Sequence, residues 1–442
     1  MTTPHLHNIF PALCALAMGL CAPPAAAAPP APPLFSGPLQ TEEEIARAIR
    51  EHYTKRVVRI PMRDGVRLHT HVYVPKDNGR PYPILLARTP YGVHPYGPDN
   101  TPTAGVDTRA VLHFAPAPQL MRAGFIFVQQ DVRGRLMSEG TFVDIRPVNP
   151  RKGPRDIDET TDAWDTIEWL VRNVPGNNGR VGVWGGSYLG FYAAQAAIDA
   201  HPALKAVSPQ APVTDWFLGD DFHHNGALLL ADAALFIGNF SRARPQPTTQ
   251  FVKVFDPERS DLYDFFLELG PIANLNARFF KNLVPFWDDM MQHPTYDTFW
   301  RARDPRPFYR KARPAILTVG GWFDAEDVWG TLETYRAFES QSPGAKNALV
   351  MGPWVHNGWM RTDGSSLGPV SFDARTSEYY RERVITPFFL RHLKGEGADL
   401  PEATVFETGA NQWRSHDAWP PRGARPLAMH LCSGGRLAAT EC

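Results

Sequence analysis

The first regular pattern along the chain is a turn between two stretches of apolar residues. Residues 57–75 open with an apolar run, turn at Asp64-Gly65 and then alternate apolar with polar positions. Asp-Gly between two such stretches is typical of a hairpin, and the two-residue period directs alternate side chains to opposite faces of a sheet. This segment therefore predicts a β-hairpin at the start of the folded body.

Short runs that are almost entirely apolar follow, and longer segments separate them. The runs are 83–87, 125–128, 181–184, 206–207, 315–319 and 348–351. Between them, residues 160–171 carry apolar side chains at helical spacing. Strands that have no polar face and alternate with helices indicate a mostly parallel sheet whose two faces are both covered. The chain is therefore predicted to have an α/β fold.

This alternation stops between residues 219 and 305. The segment lacks strand-like runs and carries aromatic and apolar residues at helical spacing, including Phe265, Phe266, Leu269, Phe279, Phe280 and Leu283. Its simplest interpretation is a helical cap over the carboxyl ends of the strands, and peripheral helices are the alternative. Further on, the strand-like segments 405–407 and 427–431 indicate a second, all-β unit. The predicted units are a first sheet part at 29–218, the cap at 219–305, a second sheet part at 306–395 and the β unit at 396–442.

Residues 1–28 have the pattern of an export signal. An apolar run at 9–21 precedes small residues at 26–28, although the segment before the run contains no Lys or Arg. The run is too short to span a membrane. We therefore predict a periplasmic or secreted protein, and a disordered cytosolic leader is the alternative. The two cysteines beyond this segment, Cys432 and Cys442, could pair in an oxidising compartment or could equally be unpaired.

The charges of the chain nearly balance. Lys+Arg is 45 and Asp+Glu is 46, which leaves a formal net charge of -1. This balance gives no electrostatic reason to expect nucleic acid or a membrane surface as a partner. The sequence contains neither a glycine-rich dinucleotide loop nor a His/Cys/Asp set with metal-ligand spacing, so we predict no cofactor and no metal. The expected partner is a small-molecule substrate, and a homo-oligomer is left open.

The segment 180–190 has the pattern of a nucleophile elbow. A strand-like run leads into Gly185 and Ser187, and a helix-like segment rich in alanine follows Gly190. Glycines on either side of the serine allow a sharp, strained turn that exposes the hydroxyl at the positive end of the helix. A glycine-flanked serine also occurs in tight structural turns, so this segment by itself leaves both interpretations open.

Two later strand-like runs each lead to a residue that a serine nucleophile requires. Residues 315–319 lead to Asp324, and residues 348–351 lead to His356. Both residues follow the carboxyl ends of strands, where doubly wound sheets place their sites. The order Ser, Asp, His is the one that α/β-hydrolases use. We therefore predict Ser187 as nucleophile, His356 as general base and Asp324 as the residue that orients this base.

The tetrahedral intermediate of such a reaction needs hydrogen-bond donors. The backbone N–H of Tyr188, the residue after the nucleophile, is the first candidate. The second donor usually comes from the loop after an early strand, which here is 88–91. The hydroxyl of Tyr91 is a candidate, and a packed loop tyrosine is an equally good interpretation.

Five segments together resemble one family of serine hydrolases. They are 88–92 (Arg-Thr-Pro-Tyr-Gly), 130–135 (Gln-Asp-Val-Arg-Gly-Arg), 185–190 (Gly-Gly-Ser-Tyr-Leu-Gly), 352–356 (Gly-Pro-Trp-Val-His) and 408–413 (Thr-Gly-Ala-Asn-Gln-Trp). The combination is similar to the X-prolyl dipeptidyl peptidases, cocaine esterase, glutaryl-cephalosporin acylases and, most of all, the α-amino acid ester hydrolases. The resemblance implies an α/β-hydrolase fold, and it maps the oxyanion tyrosine of the family onto Tyr91.

The α-amino acid ester hydrolases hold the ammonium group of their substrate in a cluster of carboxylates. By resemblance, these acidic residues map onto Asp221, Glu326 and Asp327, with Asp220 as an ambiguous neighbour. Carboxylates that lie close together raise one another's pKa, so such a cluster makes chemical sense around a cation. The alternative is that Glu326 and Asp327 only cap the helix that follows them.

The resemblance implies a serine hydrolase or acyltransferase that cleaves esters of α-amino acids, with β-lactams and short peptides as further open substrates. An X-Pro dipeptidyl peptidase, a general carboxylic ester hydrolase of the cocaine esterase type and a binding module on an inactive hydrolase are the alternatives. The family also carries a C-terminal jelly-roll domain, of which residues 396–442 would form only the beginning. We therefore expect the chain to be truncated relative to the family.

Overall fold

The computed structural model describes residues 32–242, 244, 246–251, 253 and 255–442. The export signal predicted at 1–28 lies outside these residues. The strands are β1 (Tyr53–Pro61), β2 (Arg67–Pro75), β3 (Tyr82–Thr89), β4 (Ile126–Asp131), β5 (Asn177–Gly186), β6 (Leu204–Gln210), β7 (His223–His224), β8 (Ala227–Leu228), β9 (Ala315–Gly321), β10 (Asn347–Gly352), β11 (Ser366–Leu367), β12 (Val370–Ser371), β13 (Ala403–Glu407), β14 (Gln412–His416), β15 (His430–Cys432) and β16 (Arg436–Ala438).

Helices lie between several of these strands. They are α1 (Glu42–His52), α2 (Thr108–Leu112), α3 (Pro118–Ala123), α4 (Glu159–Asn173), α5 (Tyr188–Ala196), α6 (Leu230–Phe240), α7 (Leu262–Leu269), α8 (Ala273–Leu275), α9 (Pro285–Gln292), α10 (Thr298–Arg303), α11 (Val328–Gln341), α12 (Gly358–Arg361), α13 (Thr376–Tyr380) and α14 (Thr386–Lys394). Shorter segments have other helical geometries: Arg306–Phe308 is a 3-10 helix, and Asn276–Phe280 and Arg381–Ile385 are π-helical. Among the described residues, none of the helices combines the length and the apolar character that a membrane span requires.

One large sheet organises the fold. Its ten strands follow the order β1-β2-β4-β3-β5-β6-β9-β10-β13-β14. The strands from β4 to β13 in this order are parallel, whereas β1, β2 and β14 pair in antiparallel fashion at the two edges. The predicted hairpin is thus the pair β1–β2, and the predicted apolar runs are the parallel strands. The carboxyl ends of the parallel strands meet along one edge of the sheet.

Both faces of the sheet are covered, which explains why its strands lack a polar face. Every residue of β3 is buried. Because side chains alternate along a strand, Leu85 and Ala87 pack into one apolar cluster and Ile84 and Leu86 pack into another. The first cluster lies against α1, α3 and α14, and the second lies against α4, α5 and α11. The helices and the sheet therefore form three layers.

The segment between β6 and β9 packs around a cluster of buried, largely aromatic side chains. Helices α6 to α10 supply nearly half of the cluster's buried residues, and Tyr188 at the start of α5 packs into the same cluster. The helical spacing predicted for this segment is wrong at Leu283. The preceding helix ends at Lys281, whose backbone is left-handed (φ 50°), and Leu283 is exposed beyond it. A left-handed residue stops the helical hydrogen-bond pattern.

The C-terminal strands fall into two groups. β13 pairs in parallel with β10, and β14 pairs with β13, so the strand predicted at 405–407 extends the main sheet. β15 and β16 form a separate two-stranded sheet, and the strand predicted at 427–431 begins only at His430. Cys432 and Cys442, whose pairing the sequence left open, form a disulfide.

Candidate active site

Ser187 lies in a sharp turn between β5 and α5. Its backbone has φ 64° and ψ -130°, a conformation that side-chain-bearing residues rarely adopt. Its N–H donates to the carbonyl oxygen of Gln210 over 2.8 Å. A methyl group on Gly185 would collide with Leu189, and one on Gly190 would collide with the carbonyl oxygen of Gln210. The two glycines therefore permit the strained turn that presents the serine at the carboxyl end of the strand.

Asp324 follows β9 and His356 follows β10, so neighbouring strands bring them together. The Nδ1 atom of His356 lies 2.9 Å from Oδ2 and 3.1 Å from Oδ1 of Asp324. Asp324 also accepts hydrogen bonds from the backbone N–H groups of Glu326 (2.9 Å) and Asp327 (3.0 Å). Burial alone would raise the pKa of Asp324, but the hydrogen bond with His356 and the charge of that histidine lower it overall. Asp324 is thus a fixed anion behind the imidazole.

The imidazole of His356 favours its charged form. Burial opposes the charge, but the hydrogen bond to Asp324 and the negative charges of Asp324 and Glu326 raise the pKa of His356 overall. Its Nε2 atom lies 3.4 Å from a carboxylate oxygen of Glu326. Ser187 and His356 line the same pocket, yet the contacts of the described residues include no hydrogen bond between their side chains. In this structure Nε2 thus contacts Glu326 and makes no hydrogen bond to Ser187.

The pocket at Ser187 and His356 has a volume of about 520 Å³. The other predicted site residues on its wall are Tyr91, Tyr188, Asp221 and Glu326. Tyr188 is the first residue of α5, so its backbone N–H has no partner within the helix. Its hydroxyl is engaged elsewhere, because it accepts from the N–H of Ile145 (2.7 Å) and donates to Asp144 (3.3 Å). The group of Tyr188 that an oxyanion can use is therefore the backbone N–H.

Tyr91 projects into the pocket from the loop after β3. Its ring contacts Phe236 and Phe240 of the cap, and the guanidinium of Arg109 lies 4.5 Å from the ring centre. The hydroxyl has no hydrogen-bond partner among the described residues. Burial raises the pKa of Tyr91; the nearby Arg109 lowers it, and the carboxylates across the pocket raise it further. The hydroxyl therefore keeps its proton and can donate it in a hydrogen bond.

Asp221 reaches the pocket from the start of the cap. Its backbone is left-handed (φ 46°), and its carboxylate accepts a hydrogen bond from the indole N–H of Trp216 over 2.5 Å. Its backbone N–H donates to the carbonyl oxygen of Glu326 over 3.0 Å, which links the cap to the loop after β9. Burial and the charge of Glu326 raise the pKa of Asp221 to about 7. The two carboxylates are thus close enough to repel each other.

Asp327 is the most deeply buried of the predicted acidic residues. It precedes α11 but makes no side-chain hydrogen bond to that helix. Neither of its carboxylate oxygens has a hydrogen-bond partner, and one of them lies 3.8 Å from Nδ1 of His356. Burial and the charge of Asp221 raise the pKa of Asp327 well above its ordinary range. Helix capping, the alternative drawn from the sequence, therefore does not describe this side chain, which lies behind the pocket wall.

Asp220, the ambiguous neighbour of Asp221, has a different environment. Its carboxylate accepts backbone N–H bonds from Thr214 (2.8 Å), Asp215 (2.9 Å) and Gly330 (2.7 Å). These bonds tie the start of the cap to α11. Asp220 is fully buried and does not line the pocket, whereas Asp221 does. Of the two neighbours, Asp221 is the one available to a ligand.

The acidic residues and the histidine form a potential cation site. Ligand-type atoms of Glu326, Asp327 and His356 all lie within 4.8 Å of one another. Asp324 already occupies Nδ1 of His356, so only Nε2 of that ring is free to face a cation. Grouped carboxylate oxygens, two of which on Asp327 lack a hydrogen-bond partner, suit a positively charged group, whether a metal ion or an ammonium.

Sequence reasoning missed two residues of the pocket wall. Arg109 lies on α2, and Arg361 ends α12, and both line the pocket with Ser187. Both side chains are exposed, and neither has a hydrogen bond or an ion pair within the described part of the chain. Arg361 could have been found from its short separation from His356. Nothing in the polar segment around Arg109 pointed to the pocket.

Comparison with known proteins connects this geometry to a family. A family model described as X-Pro dipeptidyl-peptidase (S15 family) matches residues 64–358, which is more than half of the chain. The chain belongs to the S15 family. The resemblance inferred from the five sequence segments is therefore confirmed, and the matched region extends from the first hairpin to the residues just after His356.

One curated relative and two solved structures are similar to this S15 chain over most of its length. The cocaine esterase of Rhodococcus sp. (strain MB1 Bresler) is 30% identical over 384 residues, which cover 82% of this chain and 59% of the esterase. An aminopeptidase structure from the marine sediment archaeon Thaumarchaeota archaeon has a TM-score of 0.78 and 32% identity, covering 92% of this chain and 64% of that chain. An α-amino acid ester hydrolase structure has a TM-score of 0.76 and 32% identity, covering 91% and 65%.

These similarities confirm the α/β-hydrolase fold that the sequence predicted. They also show that the chain spans less than two thirds of the length of each of these relatives.

Proposed function

We propose that this S15 chain is a serine hydrolase that cleaves esters of α-amino acids through an acyl-enzyme on Ser187. The observation that carries the proposal is the set of carboxylates beside the nucleophile. Asp221 and Glu326 line the pocket of Ser187, and Asp327 lies behind them next to His356. An ammonium group on the acyl part of the substrate would give these carboxylates the cation that they lack. The similarity to an α-amino acid ester hydrolase supports the same assignment.

The proposed acylation step uses the triad and the two tyrosines. His356 takes the hydroxyl proton of Ser187 on Nε2 while the serine oxygen bonds to the ester carbonyl carbon. The Tyr91 hydroxyl and the Tyr188 N–H donate hydrogen bonds to the oxyanion that forms. The carbon–oxygen bond to the alcohol then breaks, and His356 returns the proton to the leaving oxygen. Water repeats the sequence on the acyl-enzyme, which releases the amino acid and restores Ser187.

The contact between Glu326 and His356 fits this proposal. Glu326 lies 3.4 Å from Nε2, the atom that must accept the serine proton. A substrate ammonium is a full positive charge and offers Glu326 a stronger partner than the imidazole. Its arrival would leave Nε2 free to face Ser187, and catalytic hydrogen bonds often form only in the substrate complex. Binding of the ammonium would in this way couple substrate recognition to activation of the base.

The charge of the acyl group supplies the test. One hydrogen bond to a charged group contributes about 1.5–3 kcal/mol, and a cluster of carboxylates contributes several. The methyl ester of phenylalanine should therefore react at least about a hundredfold faster, in kcat/KM, than the methyl ester of N-acetylphenylalanine. The rate should also fall as pH rises through the pKa of the substrate amine, because the bound form is the cation.

Two variants make this test specific to the pocket. Asp221→Asn should reduce the ratio of the two kcat/KM values, because it removes a carboxylate that faces the ammonium. Asp232→Asn is the matched control, since Asp232 is exposed on α6 and does not line the pocket. If both esters react at similar rates with the unaltered protein, the cluster does not bind an ammonium. The chain would then be a general ester hydrolase, as the name of its cocaine esterase relative suggests.

An X-Pro dipeptidyl peptidase is the second candidate function. The family model that matches residues 64–358 favours it, and such an enzyme also needs a carboxylate for the N-terminal ammonium of its substrate. Assays with an X-Pro anilide beside the aminoacyl esters separate the two functions. Labelling of Ser187 by a fluorophosphonate tests in the same experiment whether the nucleophile is activated, which a binding module would not require.

A further inference from the structure

Two arginines share the pocket of Ser187 with the carboxylates. Arg109 on α2 and Arg361 at the end of α12 both line it. Neither side chain forms an ion pair or a hydrogen bond within the described residues, although Asp221 and Glu326 line the same pocket. A guanidinium normally pairs with a carboxylate when one is within reach. The two arginines therefore lie out of ion-pair reach of the acidic residues.

Tyr91 lies near both kinds of charged group in the pocket. Its ring lies against the guanidinium of Arg109, 4.5 Å from ring centre to guanidinium carbon. Burial raises the pKa of Tyr91 most, Arg109 lowers it and the carboxylates raise it further, so charges of both signs act on its hydroxyl. The pKa values of Asp221 and Asp327, by contrast, are raised mainly by burial and by other carboxylates. Tyr91, the predicted oxyanion donor, thus lies near both the carboxylates and the arginines of the pocket.

The two guanidiniums also lie close to each other. Desolvation in the pocket is the main reason that the pKa of Arg109 is lowered, and like-charge repulsion by Arg361 lowers it further. Both arginines also act on the pKa of the neighbouring His113. Burial and these two charges bring the pKa of His113 to about 4, so it adds no third charge at neutral pH. Two cations that repel each other and lack partners form a region that a single anion would stabilise.

From this arrangement we infer that Arg109 and Arg361 bind a carboxylate on the leaving group of the substrate. The inference rests on the proposed function, in which the acyl ammonium occupies the carboxylate cluster. In that arrangement the acyl group occupies the carboxylate side of Ser187, and the leaving group is the part of the substrate that can extend toward the arginines. The substrate class is then an α-amino acyl group joined to a leaving group with a free carboxylate, as in a dipeptide. The pocket volume of about 520 Å³ is in the range of small-molecule sites.

A matched pair of esters tests the inference. Phenylalanine is esterified through its carboxyl group to glycolic acid in one substrate and to glycolamide in the other, so the two differ only in the charge of the leaving group. The ratio of their kcat/KM values is measured for each protein, which cancels any general loss of activity. We expect the carboxylate ester to be preferred at least about fivefold, since exposed ion pairs contribute modestly and two guanidiniums act together. Phe-Gly and Phe-Gly amide provide the same comparison for peptides.

Arginine variants locate the effect. Arg361→Gln and the double variant with Arg109→Gln should bring the ratio down toward one, whereas Arg383→Gln should keep it. Arg383 is the control because it is exposed and does not line the pocket. The ratio for the two esters also separates this role from support of Tyr91 by Arg109. Loss of that support would slow both esters equally and leave the ratio unchanged.

The outcomes for the proposal and for the proposed function differ. Equal turnover of the two esters by the unaltered protein, or an unchanged ratio in the double variant, would overturn the carboxylate site while the aminoacyl ester hydrolase stands. Failure of both esters to react, under conditions in which fluorophosphonate labels Ser187, would contradict the proposed function itself.

Discussion

The two charged regions of the pocket are built in opposite ways. The carboxylate cluster (Asp221, Glu326 and Asp327) ranges from the fully buried Asp327 to Glu326, whose side chain is 52% exposed, and its members contact Trp216 and His356. The arginine pair (Arg109 and Arg361) is exposed and forms no ion pair within the described residues.

This difference indicates how strictly each end should select its ligand. A preorganised, partly desolvated carboxylate cluster binds a cation strongly because it gives up little entropy on binding, but its mutual repulsion costs stability in the free protein. Exposed arginines cost the folded state little and bind an anion weakly, because water and side-chain freedom compete. Selection of the acyl amine should therefore be much stricter than selection of the leaving group.

The largest effect is expected at Ser187, the proposed nucleophile, which lines the same pocket as both charged regions. Ser187→Ala should lower the turnover of every ester, whatever the charge at either end, by at least about three orders of magnitude. Calorimetric binding of the phenylalanine glycolate ester should persist, since both charged regions are intact. A variant that keeps a tenth or more of the rate would contradict the assignment of Ser187.

A smaller effect is expected on the pH dependence. The negative charge of Glu326 contributes to the raised pKa of His356, and a general base must be neutral to accept a proton. Activity should rise as pH increases through the pKa of His356. Glu326→Gln removes the charge, lowers that pKa, and should therefore move the acidic limb of the kcat/KM profile to lower pH.

The N-acetyl ester is the substrate for this measurement, because its acyl group carries no amine that titrates. Glu382→Gln is the control variant, since Glu382 is exposed and lies away from the pocket wall. Asp221, whose pKa is raised to about 7, faces the same histidine, and Asp221→Asn reports its separate contribution. An acidic limb that stays in place in Glu326→Gln would mean that Glu326 does not tune the base.

The smallest effect is expected on thermal stability. The test compares the Tm of variants at two buried aspartates. The pKa of Asp327 is raised in the folded state, so the unfolded chain loses this proton first, from about pH 4 upward. Stability consequently falls as pH rises through that window. Asp327→Asn does not titrate, and it should raise Tm by about 2–4 °C at pH 8 with no difference near pH 3.

Asp220→Asn provides the contrast in the same thermal unfolding series. The carboxylate of Asp220 accepts three backbone N–H bonds, and an amide has only one oxygen to accept them. This variant should lower Tm at neutral pH. If both variants change Tm in the same direction, the two carboxylates do not differ as their hydrogen bonds indicate.

The fold and the family could be predicted because they depend on patterns that are local in the chain. Uninterrupted apolar runs form the strands of a doubly covered sheet, and the Asp64-Gly65 turn forms its first hairpin. The helical spacing was less reliable in the cap, where a left-handed Lys281 ends the helix before Leu283. Such a local backbone choice depends on packing that no spacing rule contains.

The common location of Ser187, Asp324 and His356 could likewise be predicted from the sequence. Each follows a parallel strand, and the parallel strands all end at one edge of the sheet. Tertiary structure alone decided the electrostatics around them. It gave Asp220 three backbone donors and left Asp327 with none, although both are buried aspartates. It also brought Arg109 and Arg361, from distant parts of the chain, to one pocket. The energy of a charge interaction depends on the distance between the charges and on their burial, and both are known only from the folded structure.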